Sequence, residues 1–248
     1  MKTYPYITIK IQGDIGEQLY QISYIINFMR KSKSSKIRRQ LVFLNDDDNE
    51  DTYWNTLFKG LFTFIDKEKY DSLNFTKLNI NIDIEKSITI LDNIAFEGCL
   101  KSFEYIDKSL YTKMLNIVYN NEDVMYPAYY KYRDILDNFS DKTLDDEMVS
   151  LHISKKDLID VGFYRKSLET MNKNNVVIFT NDIEWFSKNV LDKINIDSKY
   201  NIYYVNENDK SIEFVLMSMF KNHIIEETSH SLWSSYISYY NNKIVLKQ

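Results

Sequence analysis

The sequence predicts an α/β protein, and three observations carry that reading. Residues 149–185 read as strand, loop, helix, strand, loop, helix. Residues 201–246 continue the same alternation. Near the start, an alternating strand at residues 6–11 runs through a glycine loop into a helical stripe. Strands that alternate with helices build parallel sheets through right-handed crossovers, so the C-terminal half is expected to be Rossmann-like.

Composition sets the outer limits. With 248 residues and 44% apolar content, the chain can bury the core of one large domain or two small ones. A net charge of -5 supplies no global field for nucleic acid or an anionic membrane. The local exception is the basic cluster Arg30, Lys31, Lys33, Lys36, Arg38 and Arg39, which reads as a helix end complementing its dipole. The single cysteine, Cys99, excludes an intrachain disulfide and fits a reducing compartment. No apolar leader and no run of membrane-spanning length stands out, so a soluble, cytoplasmic protein is expected.

In chain order, residues 6–11 alternate as a strand and lead into Gly13-Asp14-Ile15-Gly16-Glu17-Gln18. The stripe Leu19, Ile22, Ile26 and Met29 then marks a helix. Strand, glycine loop and helix N-terminus together present backbone N–H groups to an anion or a sugar hydroxyl, although a tight βα turn needs the same residues. Residues 40–44 form the next strand, and Asp46-Asp47-Asp48 follow with an Asp-x-Asp spacing that can hold a divalent cation or simply stand in water. Residues 53–64 have aromatic and Leu residues at helical spacing, and residues 75–91 read as one or two strands. Helices are expected over 103–116 and 126–139. The polar, acidic residues 140–147 mark a connector, giving domains 1–145 and 146–248.

The C-terminal half carries the best candidate site. In open parallel sheets, ligands bind where loops leave the carboxyl ends of strands. One such strand ends on His152 and feeds a basic loop closing on Asp157; a second ends at Thr180-Asn181-Asp182. Further strands are expected at 201–205, 221–225 and 243–246, with helices at 211–220 and 232–239. Between them, Thr228, Ser229 and Ser231 form a hydroxyl cluster at a helix start, able either to bind phosphate or to cap the helix. His223 and His230 lack metal-like spacing, so no metal is expected.

With those residues in view, the chain resembles the α-1,2-fucosyltransferase family of inverting glycosyltransferases, nearly end to end. Gly13 to Gln21 is similar to the family's opening Gly-Gly-Leu-Gly-Asn-Gln-Leu-Phe-Gln, and Gly98 to Ser102 to its Gly-Tyr-(Phe/Trp)-Gln-Ser. Phe179-Thr180-Asn181-Asp182 resembles Phe-Ser-Asp-Asp. Met217-Ser218 and then Glu227 to Trp233 resemble the late Met-Ser and Asn-Ser-Ser/Thr-Phe-Ser-Trp-Trp. The resemblance implies two facing Rossmann-like domains, the GT-B-like glycosyltransferase architecture. It further implies a nucleotide-sugar donor, GDP-fucose, held by the C-terminal half, a glycan acceptor on the N-terminal side, and no cofactor or essential metal.

It also implies residue roles. His152-Ile153-Ser154-Lys155-Lys156-Asp157 stands where the family has the donor-gripping His-x-Arg-x-Gly-Asp loop. His152 and Asp157 are kept; Ser154 replaces the Arg and Lys156 the Gly. A guanidinium makes bidentate, charge-assisted bonds to diphosphate that a Ser hydroxyl cannot, while Lys155 or Lys156 can supply a point charge. Asn181 and Asp182 would read the nucleotide base, or Asp182 would cap a helix. Gly13, Gly16 and Gln18 would shape the loop facing donor and acceptor. Asp157 and Glu17, the latter standing where the family has Asn, are the candidate catalytic carboxylates, with Glu17 as the base for the acceptor hydroxyl. Two other readings stay open: a catalytically silent nucleotide- or glycan-binding module, and a metal-dependent transferase using Asp46 to Asp48.

Overall fold

The computed structural model describes residues 4–34, 38–44, 53, 56–80, 92–98, 103, 106, 108–139, 145–154, 159–194 and 199–248. The chain divides into two compact units, Met1–Asn121 and Glu122–Gln248. The mixed α/β fold with parallel sheets matches the sequence expectation.

In the first unit, strand β1 (Tyr6–Ile9) leads through the glycine loop into helix α1 (Ile15–Ser34). Short strands β2 (Gln40–Leu41), β3 (Phe43–Leu44) and β4 (Phe64–Ile65) follow, then helix α2 (Lys67–Ser72), β5 (Thr76–Asn79), β6 (Ile94–Glu97) and helix α3 (Lys108–Tyr119). The main sheet has the order β2-β1-β6-β5, all parallel, with Ile7 beside both Leu41 and Ile94. Helix α1 is the centre of this unit. Its expected stripe Leu19, Ile22 and Ile26 is buried, and so are Tyr20, Tyr24, Ile25 and Phe28, with Tyr24 and Phe28 meeting Phe96 edge-on. A helix apolar on most sides is one covered on most sides.

One expectation fails here. Residues 56–60 form turns, not the helix their spacing suggested, and the chain extends at β4. Leu57 and Phe58 are fully buried all the same, and Gly60 at φ +71° breaks the helical path. Burial alone produced the helix-like spacing.

The second unit opens with helix α4 (Glu122–Phe139) and a 3-10 turn, Asp145–Glu147. Then come β7 (Met148–His152), α5 (Val161–Met171), β8 (Asn175–Phe179) and α6 (Ile183–Phe186), which runs through a π turn into Asp192–Ile194. Strand β9 (Asn201–Tyr204), helix α7 (Lys210–Ser218), β10 (Asn222–Ile225), helix α8 (Ser229–Tyr236) and β11 (Ile244–Lys247) complete it. The units part at Asn121/Glu122, ahead of the division read from the polar connector. The reason is packing: α4 lies against α7 and β9, and its Tyr132 meets Phe220 edge-on at 5.2 Å.

Every strand expected in this unit is present, within about a residue of its expected ends. β7 and β8 are buried along their whole length, which leaves β8 a nearly continuous apolar run and puts Ser150 and His152 of β7 out of solvent. Their core holds Val149, Leu151, Val176, Ile178 and Ile224 against Tyr164, Leu168, Phe186 and Val190. At roughly 1.5–3 kcal/mol per fully buried large aliphatic or aromatic side chain, this layer fixes the frame on which the loops sit.

Candidate functional site

The sheet order β11-β10-β7-β8-β9 places the site. From β7 the chain steps outward through β8 to β9, returns to β10 on the other side of β7, and continues outward to β11. All pairs are parallel. The direction of winding therefore reverses between β7 and β10, and the crevice at their carboxyl ends is where such sheets bind ligands. Two loops border it. One leaves β7 at Ile153 and Ser154; the other leaves β10 at Glu226, Glu227 and Thr228 and opens helix α8.

Glu226 joins the two loops. Its Oε1 accepts from the Ser154 backbone N–H at 3.0 Å and from the Tyr164 hydroxyl at 3.4 Å. The residue is 1% exposed. A buried carboxyl group is tolerable only with such donors around it. Burial, and then the neighbouring Glu226 carboxyl, push the Tyr164 hydroxyl well above its usual range, so it stays a neutral donor. The Ser231 hydroxyl binds the Glu226 carbonyl at 2.5 Å and lies 2.8 Å from Thr228 Oγ1. Thr228 in turn caps α8, its Oγ1 accepting from Ser231 N at 3.2 Å. The hydroxyl cluster is thus both a helix cap and one wall of the crevice, and the α8 N-terminus brings its partial positive charge there.

A second layer lies behind that wall. His152, at the last position of β7, stacks on His230 with ring centroids 6.0 Å apart and planes 23° from parallel. His230 also meets Phe214 edge-on at 5.3 Å. Burial drives the His230 pKa down to about 3, with His152 and Lys210 adding repulsion. The nearby Glu213 carboxyl is raised by burial, against the opposing pull of Lys210. The 3.8 Å approach of His230 Nε2 to Glu213 Oε1 is therefore no ion pair at neutral pH; the pair that forms is Lys210 Nζ to Glu213 Oε2 at 2.7 Å.

The remaining sequence candidates fall in three places. Asp182 caps the short helix α6, its Oδ1 accepting from Trp185 N at 2.8 Å, and Asn181 is exposed beside it. They follow β8, one strand from the crevice, since His152 pairs with Phe179. In the first unit, Gly13 takes φ +84°, and a Cβ there would lie 1.8 Å from Glu17 Oε2. Glu17 and Asp14 form a reciprocal capping box, with Glu17 N to Asp14 Oδ1 at 2.8 Å and Asp14 N to Glu17 Oε2 at 3.3 Å. Gly16 lies buried in the first turn of α1. Gln18 is buried and donates to the Gly13 carbonyl at 2.8 Å. Lys155, Lys156, Asp157, the Asp46–Asp48 run and residues 99–102 lie outside the described residues. Among the described residues no group of His, Cys, Asp or Glu has the arrangement of a metal site.

Glu226, Tyr164 and Glu213 are the residues sequence reading missed. The available signal for Glu226 was a carboxylate continuing the apolar Ile224-Ile225 straight off a strand end.

Residues 148–247 match glycosyl transferase family 11, a span that begins with β7 and ends with β11. Over that span the chain is similar to this glycosyltransferase family. It is 19% identical to the O-antigen biosynthesis glycosyltransferase WbnK of Escherichia coli, over 95% of this chain and 91% of that protein. In fold it is similar to POFUT1 solved with GDP (TM-score 0.51, 9% identity, 98% of each chain). POFUT1 with GDP-fucose gives TM-score 0.51 and 8% identity over 100% of this chain and 98% of that one. The family 9 glycosyl transferase of Veillonella parvula gives TM-score 0.51 and 8% identity over 100% and 88%. These glycosyltransferase neighbours agree with the α/β fold described above. Among the described residues, no helix is long and apolar enough to cross a membrane.

Proposed function

We propose that this transferase moves a sugar, fucose from GDP-fucose, to a glycan hydroxyl with inversion and without a metal. The observation that carries the reading is the winding reversal between β7 and β10, bordered by the His152–Ser154 loop and the capped start of α8. The family match over residues 148–247 and the presence of GDP and GDP-fucose in the POFUT1 structures support it.

In this reading the donor diphosphate lies in the crevice. Thr228, Ser229 and Ser231 shape the α8 N-terminus toward it, with Ser231 held by the Glu226 carbonyl. Lys155 or Lys156 supplies the positive charge that Ser154 does not. Asn181 and Asp182 read the base. The acceptor oxygen attacks the anomeric carbon from the face opposite the diphosphate, so the new bond forms as GDP leaves and the configuration inverts. Glu17 is the proposed base for the acceptor proton, and Asp157 the second carboxylate. To serve, the Glu17 carboxylate must give up its bond to Asp14 N.

A thermal-shift panel of GDP-fucose, GDP-mannose and UDP-sugars, run in EDTA and in Mn²⁺, tests the proposal. GDP-fucose is expected to raise the melting temperature equally in both; at 100 times Kd the gain is about 2.7 kcal/mol. No response to any nucleotide overturns the reading, and a response that needs Mn²⁺ moves it to the Asp46–Asp48 alternative.

A further inference from the structure

The stacked pair His152 and His230 is the part of the crevice that the transfer reading leaves without a task. Side chains alternate across a strand, so Val149 and Leu151 of β7 enter the core beside Tyr164 and Leu168, while Ser150 and His152 face the other way. On that side Ser150 meets His223 of β10, and His152 meets His230 in the first turn of α8. The stack therefore ties the end of β7 to the start of α8, the two borders of the crevice. Glu226 ties the same borders on the α5 side, through Tyr164 and Ser154 N.

The geometry around His230 suits a support. The two imidazoles lie 23° from parallel with centroids 6.0 Å apart, inside the range of roughly 4.5–7 Å over which aromatic rings attract. Phe214 of α7 meets His230 edge-on at 5.3 Å, so β7 and α7 both pack against this one ring. The side chain is 12% exposed, and its Nε2 lies 3.8 Å from Glu213 Oε1, while Lys210 holds the other oxygen of that carboxyl at 2.7 Å. Burial, with repulsion from His152 and Lys210, keeps His230 uncharged at neutral pH. His152 thus rests on a neutral ring that two elements hold in place.

We propose that His230 is a positioning residue of the donor site: its ring sets the orientation of the His152 imidazole and the spacing between the end of β7 and the start of α8. The proposal rests on the reading that a nucleotide diphosphate lies in this crevice. The role requires a ring at position 230 and not its nitrogens. Phenylalanine can keep the stack on His152 and the edge contact with Phe214, whereas leucine keeps bulk and apolarity but has no ring face. Binding groups must be held to within about 0.5 Å of their working geometry, so the difference between the two variants falls on affinity.

Calorimetric titration of the full-length chain with GDP in EDTA, beside urea melts without ligand, tests this. His230→Leu is expected to raise the GDP dissociation constant about tenfold, and His230→Phe to change it by no more than about twofold. Added to His152→Ala, His230→Leu is expected to change affinity by less than about twofold, because the ring then has nothing to orient. In the urea melts the stability losses of the two single variants are expected to sum to more than the loss in the double variant, as they do for residues in contact. A merely structural residue would lose stability as Leu and leave GDP affinity unchanged, and that result overturns the proposal. Equal weakening by Phe and Leu also overturns it, as do affinity losses that multiply in the double variant or urea losses that add. A wild-type chain that binds no GDP overturns the transfer reading and this role together, whereas GDP binding indifferent to position 230 overturns this role alone.

Discussion

Glu226 carries two loops on one carboxyl group, and the two ways of removing it should differ. Glu226→Gln keeps an acceptor oxygen for Ser154 N and Tyr164; Glu226→Ala takes it from both, leaving the Tyr164 hydroxyl its other acceptor, Gln248 Oε1 at 3.3 Å. At about 1–3 kcal/mol for an unsatisfied donor such as Ser154 N, the Ala variant should melt below the Gln variant. Differential scanning calorimetry of the pair checks this; equal melting temperatures would show that the bridge contributes nothing. Ser154→Arg is the complementary change. It restores a guanidinium worth about 1.5–3 kcal/mol per charge-assisted bond, so GDP-fucose affinity should rise roughly tenfold or more in a direct titration. This scale was the least legible in the sequence. Ser154 could be singled out because the motif around it made the substitution visible. Its partner Glu226 could not, because 72 residues separate them and only the β7–β10 pairing brings them together.

The buried histidines set the acid limb of stability. His223, bonded through Nδ1 to Ser150 Oγ at 2.8 Å, is pushed by burial down to about 3, as is His230. A folded-state pKa below the unfolded value of about 6.5 means that the unfolded chain takes up protons first. Stability from these two groups is thus fully present above about pH 6.5 and is lost as pH falls toward 3. The loss should be about 2 kcal/mol per histidine between pH 6.5 and 5. Urea melts across that range should show the slope, and His230→Phe should remove about half of it.

Among the elements, helix starts do double duty. Thr228, Asp182, Asp209 and Asp160 each cap a helix that follows a strand of the second unit, so every cap lies at a loop leaving a strand's carboxyl end. Thr228→Ala should cost about 1 kcal/mol through the lost cap. It should also weaken donor binding, whereas Asp209→Ala should cost comparable stability and leave donor binding unchanged, because α7 follows β9 at the sheet edge. Chemical denaturation together with nucleotide titration separates the two effects. Elements of this half were legible because β7, β8 and β10 each carry adjacent β-branched or aliphatic residues (Met148-Val149, Val176-Val177-Ile178 and Ile224-Ile225) and are bounded by polar residues. Residues 56–60 were not, because a buried turn places Leu57 and Phe58 inward at the same spacing as a helix.

For the whole molecule, the family match and the switch-point crevice both fall within the second unit, and the capping box of Glu17 within the first. The division at 145/146 was read from the polarity of residues 140–147, whereas the two compact units part at Asn121/Glu122. Helix α4 belongs to the second compact unit because its apolar face, Val124, Ala128, Tyr132 and Ile135, is buried there. The central claim is that the donor occupies the crevice between β7 and β10. Hydrogen exchange of the full-length chain with and without GDP-fucose, read by mass spectrometry in EDTA, tests it most directly. Protection is predicted in peptides covering residues 152–157 and 226–231, with a smaller effect at 180–185. Protection confined to other segments, or none at saturating GDP-fucose, would contradict the account.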